Sequence, residues 1–319
     1  MTIEKKIFKS VSNIIKEDKK NFFYLLYYSA LEAILVLAIP LTSVFIINSV
    51  LAHTTLSVFT LGTIVIVIFA LVTVLQVMKE YIVEKFQQKI FVVTGLKIAK
   101  MATILQSANS ETKHSMDKLM NYFFDVTSIQ KVFPVLILDG TGLFIKILVS
   151  LILLLAFNPY LFSAGIFFFL LFLGAIMILG KNGIERAIKR SDAKHSSIYA
   201  LQNIPYEEGS SQEVLEKFEN QLENFVNTRV NMFKVVIRQL SLTFIMEGII
   251  FSSFLILGGS LVIHGFLPLG EFVAAEIVVV SITNALKGFV KQIDYIYDIV
   301  EGLYKVDKLS LSLSEMQHA

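Results

Sequence analysis

The sequence contains no cysteine, and charged residues make up only 17% of its 319 residues. Without cysteine the chain has no disulfide framework and no thiol chemistry. Ordinary domains carry about 25% charged residues. The low charge content and the mean hydropathy of +0.69 therefore exclude a soluble protein of this size and favour a membrane protein. A net charge of +2 gives no basic surface that would indicate a nucleic-acid partner.

Long apolar runs occur six times along the chain. Each run has the roughly 17–25 residues that a tilted helix needs to cross a hydrocarbon layer about 30 Å thick. The first run is much longer than the core of a signal peptide, which is about 7–15 residues, so we expect it to be a retained span. The runs are residues 22–50, 56–78, 132–157, 160–180, 240–263 and 272–290. We predict an all-α polytopic membrane protein with six spanning helices in a lipid bilayer.

Lysine and arginine are absent from three of the connections between these runs, residues 51–55, 158–159 and 264–271. When Lys287, near the end of the sixth run, is counted with the C-terminal segment, the other segments hold 27 of the 28 basic residues, and the remaining one, Lys146, lies inside the third run. Basic residues accumulate on the cytoplasmic side of membrane proteins. The distribution therefore predicts cytoplasmic N- and C-termini and two long cytoplasmic excursions, residues 79–131 and 181–239.

The two excursions carry apolar residues at spacings of three and four, which is the pattern of an amphipathic helix. We therefore expect each spanning helix to continue into the cytoplasm, with the second one running to about Leu105. Such a helix would reach some 40 Å beyond the hydrocarbon at roughly 1.5 Å per residue. At each turning point the sequence predicts a short helix, the second one capped by Ser196 or Ser197 and stopped by Pro205 and Gly209.

The two ends of the chain are expected to differ from the six-helix unit, which we place at residues 21–309. Residues 1–20 combine one apolar helical face with six lysines, which suits an amphipathic helix on an anionic inner membrane surface. An ordinary solvated tail is the alternative for this segment. Residues 310–319 are expected to form a C-terminal tail.

Apart from Lys287 near the end of the sixth run, five charged residues fall within the apolar runs, where an unpaired charge is costly. Each should face the interior of the bundle, a cavity or a partner. One interpretation is that they line a translocation path, with Lys146 facing the glutamates, and the alternative is structural ion pairs that fix helix register. The five residues are Glu32, Asp139, Lys146, Glu247 and Glu276.

Histidine and nucleophile patterns give no catalytic or metal site in the sequence. The five histidines are scattered over the two excursions, two outer connections and the chain end, and no helical pair four residues apart exists among them. No arrangement of Ser, His and Asp rises above chance. We therefore expect neither an enzyme activity nor a metal site in this chain.

Four stretches carry a resemblance to a known family: AIPLTSVFIINSVLAHTTLSVFTLG at 38–62, MDKLMNYFFDVTSIQ at 116–130, ALQNIPYEEGSSQEVLEKF at 200–218 and LGGSLVIHGFLPLGEFVAA at 257–275. In order and spacing over some 290 residues, the chain resembles the membrane domain of six-helix ATP-binding-cassette (ABC) exporters. The likeness is to the branch that exports toxins, bacteriocins and other polypeptides, as in type I secretion.

The resemblance implies two coupling helices that dock on an ATPase subunit. The first corresponds to Ala108, Asn109, Ser110, Glu111, Thr112 and Lys113, and the second to Ile198, Tyr199, Ala200, Leu201, Gln202, Asn203 and Ile204. It also implies an exporter that works as a dimer with a second copy or a similar membrane subunit, in a bacterial inner membrane, on a peptide or protein substrate.

A phosphate-binding GxxxxGK[ST] stretch, whose backbone amides cradle phosphates, is absent from the sequence. The Gly-Lys-Asn at 180–182 lacks the upstream glycine and the hydroxyl residue, so we expect it to be a turn. We therefore expect no cofactor in this chain and MgATP on a separately encoded ABC ATPase subunit.

Two alternatives to an exporter subunit stay open from the sequence. A transport-inactive scaffold or regulatory subunit with the same fold is one, since Met116, Tyr122 and Leu286 stand where the family commonly has Gly, Arg and Pro. An ion-coupled secondary transporter that uses Lys146 and the glutamates is the other. It fits less well, because such proteins tend to have broken helices near the midplane of the membrane.

Overall fold

The computed structural model describes residues 19–53, 58–107 and 138–302 of the chain. Within these ranges the regular secondary structure is helical, which confirms the predicted all-α class. The helices are α1 (Lys19–Val36), α2 (Ala38–Leu51), α3 (Val58–Ser107), α4 (Gly140–Phe157), α5 (Pro159–Leu179), α6 (Gly183–Asn203), a 3₁₀ helix (Ile204–Tyr206), α7 (Ser211–Ile263), α8 (Leu269–Lys291) and α9 (residues 293–302).

Six helical segments of the described chain are long and apolar enough to cross a membrane, which confirms the predicted number of spans. These segments are Lys19–Leu51, Phe59–Lys100, Gly140–Phe157, Pro159–Leu179, Ser211–Ile263 and Leu269–Lys291. A chain with six such helices belongs in a lipid bilayer, where helices satisfy their own backbone hydrogen bonds.

The first span is interrupted at Leu37, between α1 and α2. Pro40 lies four residues after Val36, and a proline ring clashes with the carbonyl of the residue four positions earlier. The amide of Leu37 donates to the Ile34 carbonyl at 3.1 Å, three residues back, so the helix tightens for one turn at this point. The predicted single first span is therefore two helices joined at a proline-induced break.

Helices α3 and α7 are each a single helix that runs through a span into an excursion. Helix α3 has 50 residues and α7 has 53, so at about 1.5 Å per residue they are roughly 75 and 80 Å long. This confirms the predictions that the second span continues to about Leu105 and that the fifth span is continuous with a helix of the second excursion. We call the parts of α3, α6 and α7 that lie beyond the apolar runs, together with α9, the legs.

The fourth span does not continue directly into its leg, because a turn separates the two. Residues 180–182 form a turn between α5 and α6, and Asn182 has a positive φ of 64°, a conformation that ends a right-handed helix. The Gly-Lys-Asn sequence at these positions is thus a turn, as expected.

The predicted short helix capped by Ser196 or Ser197 was also wrong. Both serines lie inside α6, which starts at Gly183, and the Ser197 hydroxyl donates to the Ala193 carbonyl, as helical serines do. The end of this helix was predicted correctly. Helix α6 stops at Asn203, Pro205 follows in the 3₁₀ helix, and Gly209 has a φ of 142° that favours glycine.

The connections without lysine or arginine gather at one end of the bundle. Asn158, between α4 and α5, donates from its side chain to the Phe266 carbonyl in the connection between α7 and α8. Gly270, at the start of α8, lies so close to α2 that a Cβ atom there would be 2.4 Å from the Asn48 side chain. We call this the apolar end of the bundle, and the opposite end, from which the legs extend, the basic end.

An apolar core fills the space between α4, α5, α7 and α8 near the apolar end. Leu154, Leu161, Phe254 and Val278 are among its buried side chains. A Cβ atom on Gly258 would lie 2.6 Å from the Phe272 ring, so this glycine lets α7 and α8 approach closely. Small residues at helix contacts are how spanning helices pack where lipid is as apolar as the side chains.

Three segments with predictions lie outside the described residues. They are residues 1–18 of the amphipathic N-terminal segment, the C-terminal tail and the first coupling segment with Ala108, Asn109, Ser110, Glu111, Thr112 and Lys113.

Candidate functional site

A cavity of about 650 Å³ lies between α1, α3, α4 and α8 on the basic side of the spans. Polar and charged side chains line it together with small and apolar ones, so it differs from the apolar core beside it. Its lining residues are Ser29, Glu32, Ala33, Val36, Gln76, Val77, Lys79, Glu80, Leu138, Asp139, Gly142, Leu143, Lys146, Ala285, Gly288, Phe289 and Gln292.

The chain directions of the four helices order this lining from the basic end inward. Helices α1 and α4 run away from the basic end, and α3 and α8 run towards it. Ser29, Glu80, Asp139 and Gln292 therefore lie at the mouth of the cavity, nearest the basic end. Lys146 is seven residues further along the chain than Asp139, which places it about 10 Å deeper.

The middle of the cavity holds a buried ion pair between α1 and α3. The Lys79 ammonium bonds the Glu32 carboxylate, and both side chains are mostly buried. Gln76, one turn earlier on α3, donates to the second oxygen of Glu32 at 2.8 Å. Both carboxylate oxygens of Glu32 are thus occupied, and the pair is neutral as a unit.

Lys146 is arranged differently from Lys79. The charge of Glu32 acts on it through space. Within the part of the chain that the structure describes, its ammonium makes no hydrogen bond and no ion pair. An ammonium at this depth is stable only if it faces water or a polar ligand. The cavity supplies that space.

Two further polar atoms at the mouth have no hydrogen-bond partner among the described residues. They are the Ser29 hydroxyl, on a side chain that is 2% exposed, and the Gln292 Oε1 atom. The Gln292 side chain lies against the Asp139 carboxylate. Buried polar atoms are nearly always satisfied, so these atoms mark positions where water or a ligand belongs.

The structure brings three of the five predicted path residues together and separates two. Glu32, Asp139 and Lys146 line the cavity. Glu247 accepts two hydrogen bonds from Lys287, at 2.7 and 2.9 Å, beside a smaller cavity of about 240 Å³. Glu276 lies in the part of α8 near the apolar end, and its Oε2 atom is buried without a partner among the described residues.

Sequence reasoning missed the cavity residues Ser29, Gln76, Lys79 and Gln292. Lys79 and Gln292 stand just outside the apolar runs, and uncharged Ser29 and Gln76 give no signal in a search for buried charges. A helical projection would have found Gln76 and Lys79, since they are three positions apart and share one face of α3.

A charged cluster joins the second excursion to the helix after the sixth span. Arg190 on α6 bonds Asp294 at 3.0 Å and also bonds Asp298, both on α9. Burial acts to lower the pKa of the Arg190 guanidinium, but the negative charges of Asp298, Asp294 and Glu301 outweigh burial and raise that pKa. We call Arg190 with these three carboxylates the leg clamp.

The joint between α5 and α6 is filled by one aromatic side chain. Tyr297 of α9 lies against Gly183, where a Cβ atom would be 2.5 Å from its hydroxyl oxygen. The same hydroxyl donates to Gln239 at 3.3 Å, and Gln239 in turn donates to the Ile176 carbonyl at 3.2 Å. Helices α5, α6, α7 and α9 therefore meet at Tyr297, next to the leg clamp.

The predicted second coupling segment lies at the far tip of the leg formed by α6 and α7. Ile198, Tyr199, Ala200, Leu201, Gln202 and Asn203 form the end of α6, and Ile204 opens the 3₁₀ helix. Leu201 is 55% exposed and the adjacent Tyr206 is 74% exposed. The distance from Ser211 to Gln239 along α7 places this apolar tip roughly 40 Å from the spans.

A capping box holds the start of α7 at this tip. The Ser210 hydroxyl accepts from the Glu213 amide, and the Glu213 carboxylate accepts from the Ser210 amide. These bonds to Ser210 lower the pKa of the exposed Glu213 carboxyl. The return of the chain into α7 is thus fixed by its own sequence.

The chain matches no protein-family model and no curated protein.

Proposed function

We propose that this chain is a membrane-spanning subunit of an ATP-driven exporter of the ABC type. In this proposal the cavity between α1, α3, α4 and α8 is part of the translocation path. The tip of the second excursion docks on an ATPase that lies outside these 319 residues, where MgATP is bound. Both chain termini then lie in the cytoplasm.

The observation that carries the proposal is the combination of six spans with legs that reach roughly 40 Å beyond them. A leg of this length that ends in exposed apolar residues suits contact with a partner in the cytoplasm, far from any solute in the bilayer. The resemblance of the sequence to exporter membrane domains names the class of that partner.

The contacts of the legs support a route for transmitting motion from the tip to the cavity. Helix α6 is held to α9 by the leg clamp, and α9 follows α8 after a one-residue turn at Gln292. Gln292 lies at the cavity mouth. A rigid-body shift of α6 and α7 would therefore move the α8 wall of the cavity, which is the type of motion that alternating access requires.

A second copy of this chain, or a similar membrane subunit, would complete the path. The cavity is bounded by only four of the six spans of one chain, and α3 presents much of its surface to its surroundings. Two six-helix units around one path are what the resemblance implies.

The test is co-expression of the chain with candidate ABC ATPase subunits encoded next to it. We expect the purified chain to bind one of them and to change its ATP turnover. Leu201→Asp should weaken that binding by about tenfold or more, because it places a charge in an apolar contact. Leu215→Asp is the matched control, since Leu215 is equally exposed but lies on α7, outside the coupling segment.

Absence of both binding and altered ATP turnover with every candidate subunit would contradict the proposal. A chain that binds an ATPase and supports no export in either the original or the Leu201→Asp form would favour the alternative, a transport-inactive scaffold.

A further inference from the structure

We propose that the cavity binds an elongated dipolar molecule. Its anionic group pairs with Lys146, and its cationic or N–H donor group pairs with Asp139 and Gln292 at the mouth. The identification of this molecule as the transported substrate rests on the proposed function, whereas its binding rests on the cavity alone.

The deep part of the cavity offers a cation that none of the described residues neutralises by direct contact. Lys79 bonds Glu32 and Lys287 bonds Glu247, but Lys146 has no such contact within the described residues. Its ammonium therefore has all three N–H donors available to the cavity. An anionic group of a ligand is the complement, and a charge-assisted hydrogen bond is the strong kind.

The mouth of the cavity offers the opposite chemistry. The Asp139 carboxylate and the free Gln292 Oε1 atom are both acceptors, and they lie together. Glu80 adds a second carboxylate to the same end of the cavity. A cationic or N–H group of a ligand is the complement of this end.

Ser29 provides an independent sign that the mouth is built for a ligand. Several helical hydroxyls elsewhere in the spans donate to the carbonyl four residues back, as Thr42 does at 2.7 Å and Thr243 at 2.8 Å. The Ser29 hydroxyl is almost fully buried and makes no such bond. It lines the cavity, so it is available to a ligand or a water molecule there.

The spacing between the two ends sets the shape of the ligand. Asp139 and Lys146 are seven residues apart on one face of α4, which is about 10 Å. Between them the walls hold the neutral pair of Glu32 and Lys79, beside the small and apolar side chains of Ala33, Leu143 and Phe289. The ligand therefore has an apolar spacer between an anionic group and a donor group.

The probe is radiolabelled 8-aminooctanoate, whose extended chain separates the amine from the carboxylate by about the required length. Its binding is measured by equilibrium dialysis on the purified full chain in lipid nanodiscs, without an ATPase. Octylamine lacks the carboxylate, octanoate lacks the amine, and 4-aminobutanoate is too short. We expect each of the three to compete about tenfold or more weakly than 8-aminooctanoate, as for a lost hydrogen bond to a charged group.

The variant Lys146→Met tests which residue holds the carboxylate. In this variant 8-aminooctanoate and octylamine should bind with nearly equal affinity, because the carboxylate has lost its partner. Lys146→Arg should restore the preference for the carboxylate. Lys287→Met is the matched control, since Lys287 is also a lysine of the spans but does not line the cavity, and it should keep the original preference.

Thermal melting of each variant in nanodiscs shows whether it is folded. Binding by the original chain that does not depend on spacer length, or a carboxylate preference that survives Lys146→Met, would overturn the proposal. So would the absence of any saturable binding. Because no ATPase takes part, these results are separate from the outcome of the ATPase experiment.

Discussion

The two ends of the helix bundle are held together by different forces. At the apolar end, buried side chains such as Phe254 interlock, and α7 and α8 approach through Gly258. At the basic end, charged contacts between helices accompany a second apolar cluster around Met232 and Val235, with Glu32 bonded to Lys79 and Arg190 bonded to Asp294 and Asp298. Closely packed side chains fit together in one arrangement, whereas charged groups can exchange one partner for another, including water and ligands.

This difference indicates where the molecule can move. A packed end with small residues at its helix contacts acts as a fixed frame. The end that holds a cavity, a helix joint at residues 180–182 and the leg clamp is the one in which helices can change their spacing at modest cost. The proposed export function needs this division, because a path must open at one end while the bundle stays intact.

The largest expected effect is at the leg clamp. Arg190→Gln removes the cation that faces Asp294, Asp298 and Glu301. The Glu301 carboxylate, which is mostly buried, then loses its contact with a positive charge. Loss of one partner of a buried charged cluster lowers the free energy of unfolding by about 3 kcal/mol, at the lower end of measured values. We expect hydrogen exchange of α9 amides to rise by about two orders of magnitude, measured by mass spectrometry in nanodiscs.

Lys189→Gln is the control for the leg clamp, because Lys189 lies on the same helix and pairs with Glu185 on the surface. An exposed pair of this kind contributes about 0.5 kcal/mol or less. Equal exchange rates in the two variants would show that the leg clamp does not hold α9.

The next largest effect is expected at the apolar end. Phe254→Ala removes a ring that is 2% exposed and packs against Phe168. Since lipid is as apolar as the core, the loss is mainly one of packing, about 2 kcal/mol. Unfolding by sodium dodecyl sulfate in mixed micelles measures it.

The control for Phe254→Ala is Ile256→Ala, on the same helix but with a side chain that is 73% exposed. We expect this variant to unfold like the original chain. If the two substitutions cost the same, the apolar end is not the packed frame described above.

A smaller effect is expected in the pH dependence of stability, which responds to charged contacts and not to the packing of apolar side chains. Burial raises the pKa of the Asp298 carboxyl above its ordinary value of 3.8, and the attraction of Arg190 acts against burial. A carboxyl whose pKa is raised in the folded state stabilises the fold at low pH, and this contribution is lost as the pH rises through the raised pKa.

The variant Asp298→Asn carries no such titration. We therefore expect the Tm of the original chain, relative to this variant, to fall by about 2 °C between about pH 4 and about pH 7. Differential scanning fluorimetry at several pH values measures the change. A Tm difference that rises with pH would mean that Arg190, rather than burial, controls the carboxyl.

The smallest effect is expected at the tip of the second excursion. Ser210→Ala removes one half of the capping box at the start of α7, and exchange of the first amides of α7 should speed up severalfold. The exchange of α8 amides should not change. Similar exchange at Val214 in both proteins would show that the capping box does not hold this end.

Much of the architecture followed from the sequence because a bilayer imposes simple rules. Apolar runs long enough to cross the bilayer predicted the six spanning helices. Apolar residues at spacings of three and four predicted the continuous helices α3 and α7. The basic-residue pattern grouped the connections 158–159 and 264–271, which contact one another at the apolar end. The turn at residues 180–182 was predicted too, but the extent of α6 beyond it was not, since Ser196 and Ser197 fit a cap as well as a helix interior.

The cavity could be predicted only in part. The charges within the apolar runs predicted Glu32, Asp139 and Lys146 as cavity residues, and all three line it. The same criterion selected Glu247, which is paired with Lys287 outside the cavity. A single sequence does not reveal which of several charges share a face between helices. That depends on how the helices are rotated, which close packing of uncharged residues decides.

Cysteine labelling across a membrane tests the central claim that the cavity is an aqueous path open towards the basic end. The chain has no cysteine of its own, and a Cβ atom at Gly142 in the cavity or at Gly174 in α5 would meet no atom within 4 Å. Gly142→Cys and the control Gly174→Cys are placed in sealed vesicles of known orientation and treated with a membrane-impermeant charged thiol reagent. We predict that the cysteine at 142 is labelled only from the side of the legs and is protected by 8-aminooctanoate, while the cysteine at 174 is not labelled. Labelling at 142 from the opposite side alone, or none from either side, would contradict the claim.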